Sequence, residues 1–148
     1  IYVDSTGACA VTDLLRLDNG TMLASIVDYM HMGLGGLVQS TDNGETWENI
    51  GFVNDALFCL AQDSQGTIYL GGNGLFRSSD YGATWQMILG DCAWSIAIDN
   101  NDVIFANLFC RSRGLGVIRS ADYGETWEYV ISNRGIFYFF AYRTTTII

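Results

Sequence analysis

Short apolar runs alternate along this chain with clusters of Gly, Asn, Asp and Ser. The middle stretch is the plainest. Ala56–Gln62 is an apolar run, Asp63-Ser64-Gln65-Gly66 a turn and Thr67–Gly71 a second run, with Gly74–Ser78 and Thr84–Leu89 as the third and fourth. Runs of this length between turn formers predict short antiparallel strands. The order recurs on both sides. Upstream come Leu14–Leu17, the turn Asp18-Asn19-Gly20, Thr21–Ser25, Gly36–Ser40 and Thr46–Ile50. Downstream come Trp94–Ile98, the turn Asp99-Asn100-Asn101-Asp102, Val103–Asn107, Gly116–Ser120 and Thr126–Ile131.

Before the fourth run of each set stands one pattern, Ser-x-Asp-x-Gly-x-Thr-Trp. Its copies are Ser40-Thr41-Asp42-Asn43-Gly44-Glu45-Thr46-Trp47, Ser78-Ser79-Asp80-Tyr81-Gly82-Ala83-Thr84-Trp85 and Ser120-Ala121-Asp122-Tyr123-Gly124-Glu125-Thr126-Trp127. The tryptophans are 38 and 42 residues apart (85 − 47, 127 − 85). A period of about 40 marks the four-stranded blade of a propeller. The residue types suit a tight turn. Asp accepts backbone N–H groups a residue or two ahead, Gly supplies a positive φ, and Ser ties the incoming strand to the turn. Thr and Trp open the outgoing strand, with the indole N–H needing a partner. Asp42-Asn43-Gly44-Glu45 is loosely like a calcium loop, but it lacks the alternating oxygens and distant Glu of that motif. No metal or other cofactor is expected.

The octapeptide resembles the Asp-box, or BNR repeat, of sialidases, some xyloglucan-cleaving glycosidases, sortilin-type receptors and secreted bacterial propellers. The resemblance covers most of residues 10–131 and implies that Asp42, Asp80 and Asp122 build turns remote from any catalytic or ligand-binding face. The expected fold is all-β: a partial β-propeller of three four-stranded antiparallel Asp-box blades plus the start of a further blade. As one domain over 1–148, the blades run roughly 10–50, 55–90 and 92–131, with 135–148 opening another. Gly135–Tyr142 reads as an inner strand and Ile1-Tyr2-Val3 as an outer strand of a preceding blade. Three blades leave two sheet faces uncovered, and propellers close with about four to eight. The chain is expected to be a piece of a larger propeller, or to associate with another copy through its open blades.

Composition narrows the partners. The chain has 148 residues, 49% apolar and 14% aromatic, enough for a sizeable core. All seven basic residues are Arg and sixteen are acidic, so the net charge of −9 disfavours nucleic acid and anionic membranes. No apolar run approaches the roughly 20 residues of a membrane helix. Cys9, Cys59, Cys92 and Cys110 show no zinc spacing. Free thiols are the default, with a Cys92–Cys110 disulfide as the alternative if the protein is secreted.

Function is sought opposite the box turns. Strand alternation puts there the loops between second and third strands, longer by 8 and 6 residues in the first and third repeats than in the second (20 and 18 against 12). They carry Asp28, Tyr29 and His31, and Arg111 and Arg113; segments between blades add Asn54 and Asp55, then Asp91 and Trp94, then Asn133 and Arg134. Tyr and Trp suit sugar stacking and paired Arg suits a carboxylate, whereas ordinary solvated loops or, for Trp94, an inner-strand core are the blander readings. A sialidase site needs three Arg and a Tyr–Glu pair gathered from many blades. Here Arg111, Arg113 and Arg134 come from one repeat, and Glu45, Glu48, Glu125 and Glu128 lie in or beside boxes. The expected function is a non-catalytic binding or scaffold module for a glycan or protein ligand in an extracellular or periplasmic protein. The alternative is a fragment of a sialidase-like or xyloglucanase-like glycoside hydrolase.

Overall fold

The computed structural model describes residues 9–28, 35–53, 55–110 and 114–133. Among these the chain forms twelve strands and no helix. They are β1 (Cys9–Arg16), β2 (Met22–Asp28), β3 (Gly35–Ser40), β4 (Glu48–Gly51), β5 (Leu57–Gln62), β6 (Ile68–Gly72), β7 (Leu75–Ser78), β8 (Gln86–Leu89), β9 (Ala93–Ile98), β10 (Ile104–Cys110), β11 (Gly114–Ser120) and β12 (Glu128–Asn133). Consecutive strands pair antiparallel into three separate four-stranded meanders: β1 to β4, β5 to β8 and β9 to β12. The first strands adjoin, β1 beside β5 and β5 beside β9, so each set of four is a blade with its first strand innermost. The expected outer strand at Ile1-Tyr2-Val3 and the further blade at 135–148 lie outside the described residues.

Strand boundaries depart from the sequence reading in two ways. The fourth strands start at Glu48, Gln86 and Glu128, two residues later than expected, because Thr and Trp still belong to the turn. The long loops are partly strand. β2 runs to Asp28 and pairs Val27 with Gly35, and β10 runs to Cys110 and pairs it with Gly114, so the extra residues lengthen hairpins. β1 starts at Cys9 rather than Leu14 for the same reason, since it follows the longer β2.

The three octapeptide turns are superposable in their bonding. In the first, Ser40 Oγ donates to Asp42 Oδ1 at 2.7 Å and accepts the Gly44 N–H at 2.8 Å. The other Asp42 contacts are with Thr46, whose N–H donates at 2.9 Å and whose hydroxyl donates at 2.5 Å. Ser78, Asp80 and Thr84 repeat this, as do Ser120, Asp122 and Thr126. The Asp therefore reaches four residues ahead, not one or two, and the Ser hydroxyl serves the glycine. Each Trp indole N–H donates to the carbonyl of its own turn glycine, at 3.1, 3.0 and 3.1 Å. Gly44, Gly82 and Gly124 all have φ of 90°, and the residue before each is left-handed too: Asn43 59°, Tyr81 58° and Tyr123 59°. Two successive positive φ values are the signature of the type I′ hairpin turn, which favours Asn-Gly.

Blades pack through these turns. Between blades 1 and 2 lie Leu17, Leu23, Leu37, Leu57, Leu60, Ile68 and Leu70, with Trp85 against them. Between blades 2 and 3 lie Leu75, Ala93, Ala106, Leu108 and Ile118, with Trp127. Two of the turn glycines, Gly82 and Gly124, seat on the preceding blade. A Cβ on Gly82 would meet Ile50 and Leu23, and one on Gly124 would stand 2.6 Å from Ile88. Having a neighbour on both faces explains why β6, in the middle blade, is buried at every residue and reads as an unbroken apolar run. Its Tyr69 donates to the buried Asp63 at 3.1 Å. Burial and that carboxylate push the phenol well above its ordinary pKa.

Polar bridges complete the seam between blades 2 and 3. Asp102 stands at φ 60° where the matching turns have Gly20 and Gly66, and its carboxylate accepts the N–H and hydroxyl of Ser64 in blade 2. Arg77 of blade 2 donates to Tyr123 O at 2.8 Å and pairs with Glu125 at 2.6 Å on blade 3. Among the described residues no buried side-chain polar atom lacks a partner.

Two tests follow from the turns. The Thr and Ser donors hold Asp42, Asp80 and Asp122 at about pKa 2, against an ordinary 3.8. A carboxyl lowered in the folded state contributes stability fully above its unfolded pKa and loses it as pH falls through the folded one. The melting temperature should therefore drop between about pH 4 and pH 2, and Asp80→Asn should lower the neutral-pH value while flattening that decline. Tyr81, exposed at a left-handed position, should be improved by Tyr81→Asn, by roughly 0.5–1 kcal/mol in chemical denaturation. An unchanged or lower midpoint would show that the phenol contributes more than the backbone strain costs.

Candidate binding cleft at the inner strands

Every inner strand carries one extra residue at the same place. The register shifts between Val11 and Asp13 in β1, between Leu57 and Cys59 in β5, and opposite Asn107/Leu108 in β9. The bulged residues are Thr12, Phe58 and Trp94. Each stands five positions before the residue opening the following turn, Leu17, Asp63 or Asp99 (17 − 12, 63 − 58, 99 − 94). A bulge bends its strand and re-aims the side chain. Here it opens a cleft of about 370 Å³ across all three inner strands, lined by Thr12, Asp13, Phe58, Cys59, Trp94 and Ser95 among others.

One wall is aromatic. Trp94 is half exposed and stacks on Phe58, with ring centres 5.1 Å apart and planes 25° from parallel. Phe109, from the lengthened part of β10, has its ring centre 5.2 Å from that of Trp94, tilted by 54°, and is also exposed. An inner-strand core role for Trp94 is thereby corrected: the residue keeps 50% of its surface in solvent.

The opposite wall is polar and mostly committed to holding blades together. Thr12 Oγ1 lies 2.8 Å from Leu57 O and 2.8 Å from the buried Ser25 Oγ. A hydroxyl has one proton, so Ser25 donating to Thr12 and Thr12 to Leu57 O satisfies the set. Asp13 Oδ2 accepts the Leu60 N–H at 2.9 Å. These side chains cap the inner edge of β5, which otherwise presents unpaired backbone groups. At the next seam the matching carbonyl is met by Cys59, whose Sγ lies 3.9 Å from Ala93 O.

Of the residues singled out in the sequence, Trp94 reaches this cleft. Asp91 is not a solvated loop residue but is buried, with 5% of its surface exposed. Asp55 N donates to Phe52 O at 3.0 Å, and its carbonyl lies over Gly35, where a Cβ would come within 2.2 Å. Asp28 ends β2 opposite Cys9; its side chain lies outside the described residues, as do Tyr29, His31, Asn54, Arg111, Arg113 and Arg134. Thr12, Asp13, Phe58 and Phe109 were missed. The spacing to the turn was the available signal, since Phe58 and Trp94 share it.

No family model matches the chain, and no curated protein does. Solved structures do. PorZ, a surface component of the type-IX secretion system of Porphyromonas gingivalis, aligns with a TM-score of 0.58 and 13% identity, over 84% of this chain and 21% of its own. An α-L-arabinofuranosidase of Fusarium graminearum gives 0.57 and 18%, over 83% and 48%. A Hadza microbial sialidase gives 0.55 and 18%, over 90% and 35%. The chain has the β-propeller fold. It spans between about a fifth and a half of the length of these relatives, and at such identities the likeness concerns the fold alone.

In this propeller Asp13 should behave as a structural residue. Asp13→Ala leaves the Leu60 N–H without its acceptor and should cost about 1–3 kcal/mol in chemical denaturation, whereas Asp13→Asn, which keeps an acceptor oxygen, should cost much less.

Proposed function

We propose that this chain is an Asp-box propeller module that binds a glycan or protein ligand without catalysing a reaction, in an extracytoplasmic protein. The observation that carries the reading is the solvent-exposed Trp94, stacked on Phe58 and flanked by Phe109 beside a polar wall. Flat aromatic surface with nearby hydroxyls suits a sugar ring, whose C–H face packs on the indole while its hydroxyls exchange hydrogen bonds. Asp28, Tyr29, His31, Asp55, Arg111 and Arg113 belong to the same proposed face. The identical bonding of all three octapeptides supports the Asp-box assignment, and the bacterial surface component among the fold relatives supports an extracytoplasmic setting.

The second reading, part of a glycoside hydrolase, draws on the arabinofuranosidase and sialidase relatives. Hydrolysis of that kind uses two carboxyl groups about 5–9.5 Å apart. Among the described residues lining the cleft Asp13 is the one carboxylate, and it serves Leu60. That favours binding over hydrolysis.

Titration calorimetry against a panel of neutral oligosaccharides tests both. Trp94→Ala should weaken binding at least tenfold while changing the melting temperature little, because half of the residue's surface is already in solvent. Tyr29→Ala and Arg111→Ala should also weaken it. Turnover of an aryl glycoside by the chain would favour the hydrolase reading instead.

A further inference from the structure

The two seams inside the chain use one set of matching positions, and both outer faces present halves of it. Across a seam the forward face offers the bulged residue of the fourth strand, Ile50 or Ile88, to the turn glycine of the next blade, Gly82 or Gly124. Blade 3 carries Val130 at that position, 48% exposed. Behind it Phe105 and Val117 are only half-buried, although their counterparts Leu23 and Tyr69, and Leu37 and Leu75, are wholly buried. On the rear face of blade 1, Ala24 and Val38 are buried, but Leu14 is 44% exposed where Leu60 is 4% exposed in blade 2, and Gly44 meets only its own blade's Trp47 and Met22.

Charge tells which turn fits the open forward face. Arg77, steadied by Gln86, reaches across its seam to Glu125, the residue after the turn glycine. At the other seam Gln39 stands in the Arg77 position and Ala83 follows the glycine. Arginine therefore meets glutamate and glutamine meets alanine. Blade 3 repeats the arginine as Arg119, steadied by Glu128, and its described surroundings hold no following turn. Blade 1 repeats the glutamate as Glu45, exposed after Gly44. We propose that the forward face of blade 3 docks on the rear face of blade 1 of a second copy, with Val130 seated on Gly44 and Arg119 paired with Glu45. Made twice, this head-to-tail contact closes two chains into a ring of six described blades and takes the exposed Val130 and Leu14 out of water. The inference stands apart from the ligand reading, since neither face carries the aromatic cleft.

Analytical ultracentrifugation of the 148-residue chain should give a dimer. Arg119→Glu and Glu45→Arg each place like charges at both contacts, and each should raise the dimer dissociation constant by about a hundredfold, tenfold per contact. Both sites are on the surface, so the variants should keep the far-ultraviolet circular dichroism of the parent. Mixing the two variants should restore a dimer that neither forms alone. One contact then pairs the introduced Glu with the introduced Arg, and the other is the native pair. A monomeric parent, with its own chain covering blade 3, would overturn the proposal. So would a dimer insensitive to both substitutions, or variants that fail to recover on mixing.

Discussion

Each blade closes on one carboxylate. Asp42, Asp80 and Asp122 each collect a serine hydroxyl, a threonine hydroxyl and a backbone N–H inside eight residues, and this fixes a turn with two successive left-handed residues. That turn sets the direction of the fourth strand, lays the Trp over its own glycine and, at Gly82 and Gly124, leaves the glycine flat enough to seat on the blade before it. Without it the third and fourth strands would lose their register and the blades their contact surface. Chemistry that resembles a cation site is thus consumed by local geometry.

This constraint also explains what was legible. The octapeptides revealed the blade count, the strand order and the all-β class, because Ser, Asp, Gly, Thr and Trp each meet a steric or hydrogen-bonding demand that few other residues meet. Strand ends were less legible. Thr46, Thr84 and Thr126 look like strand residues by propensity, and it is their bonds to Asp that keep them in the turn.

The site was legible only in part. Trp94 stood out as an aromatic between blades, but the bulge that turns it outward depends on pairing with β10, and its only local trace is the spacing to the turn that it shares with Phe58. Asp91 looked like a loop carboxylate because its neighbours are Gly and Cys, yet it is buried in the fold. Phe58 was hidden inside an apolar run, where a side chain facing the axis and one facing the core read alike. Thr12 and Asp13 are ordinary strand residues until a neighbouring blade supplies the bare backbone that they cap.

The two seams are unequal. One is leucine-rich and backed by Thr12 and Asp13. The other has alanines at Ala93 and Ala106, a thiol where the first has a hydroxyl, and surface bridges from Asp102 to Ser64 and from Arg77 to Tyr123 O and Glu125. Surface ion pairs are screened by salt, whereas buried leucine contacts are not. Under tension applied along the chain, the fan should therefore part at a preferred line, shedding its third blade while the first two stay together. The small residues of the second seam make it a mechanical fuse, whose threshold falls with ionic strength.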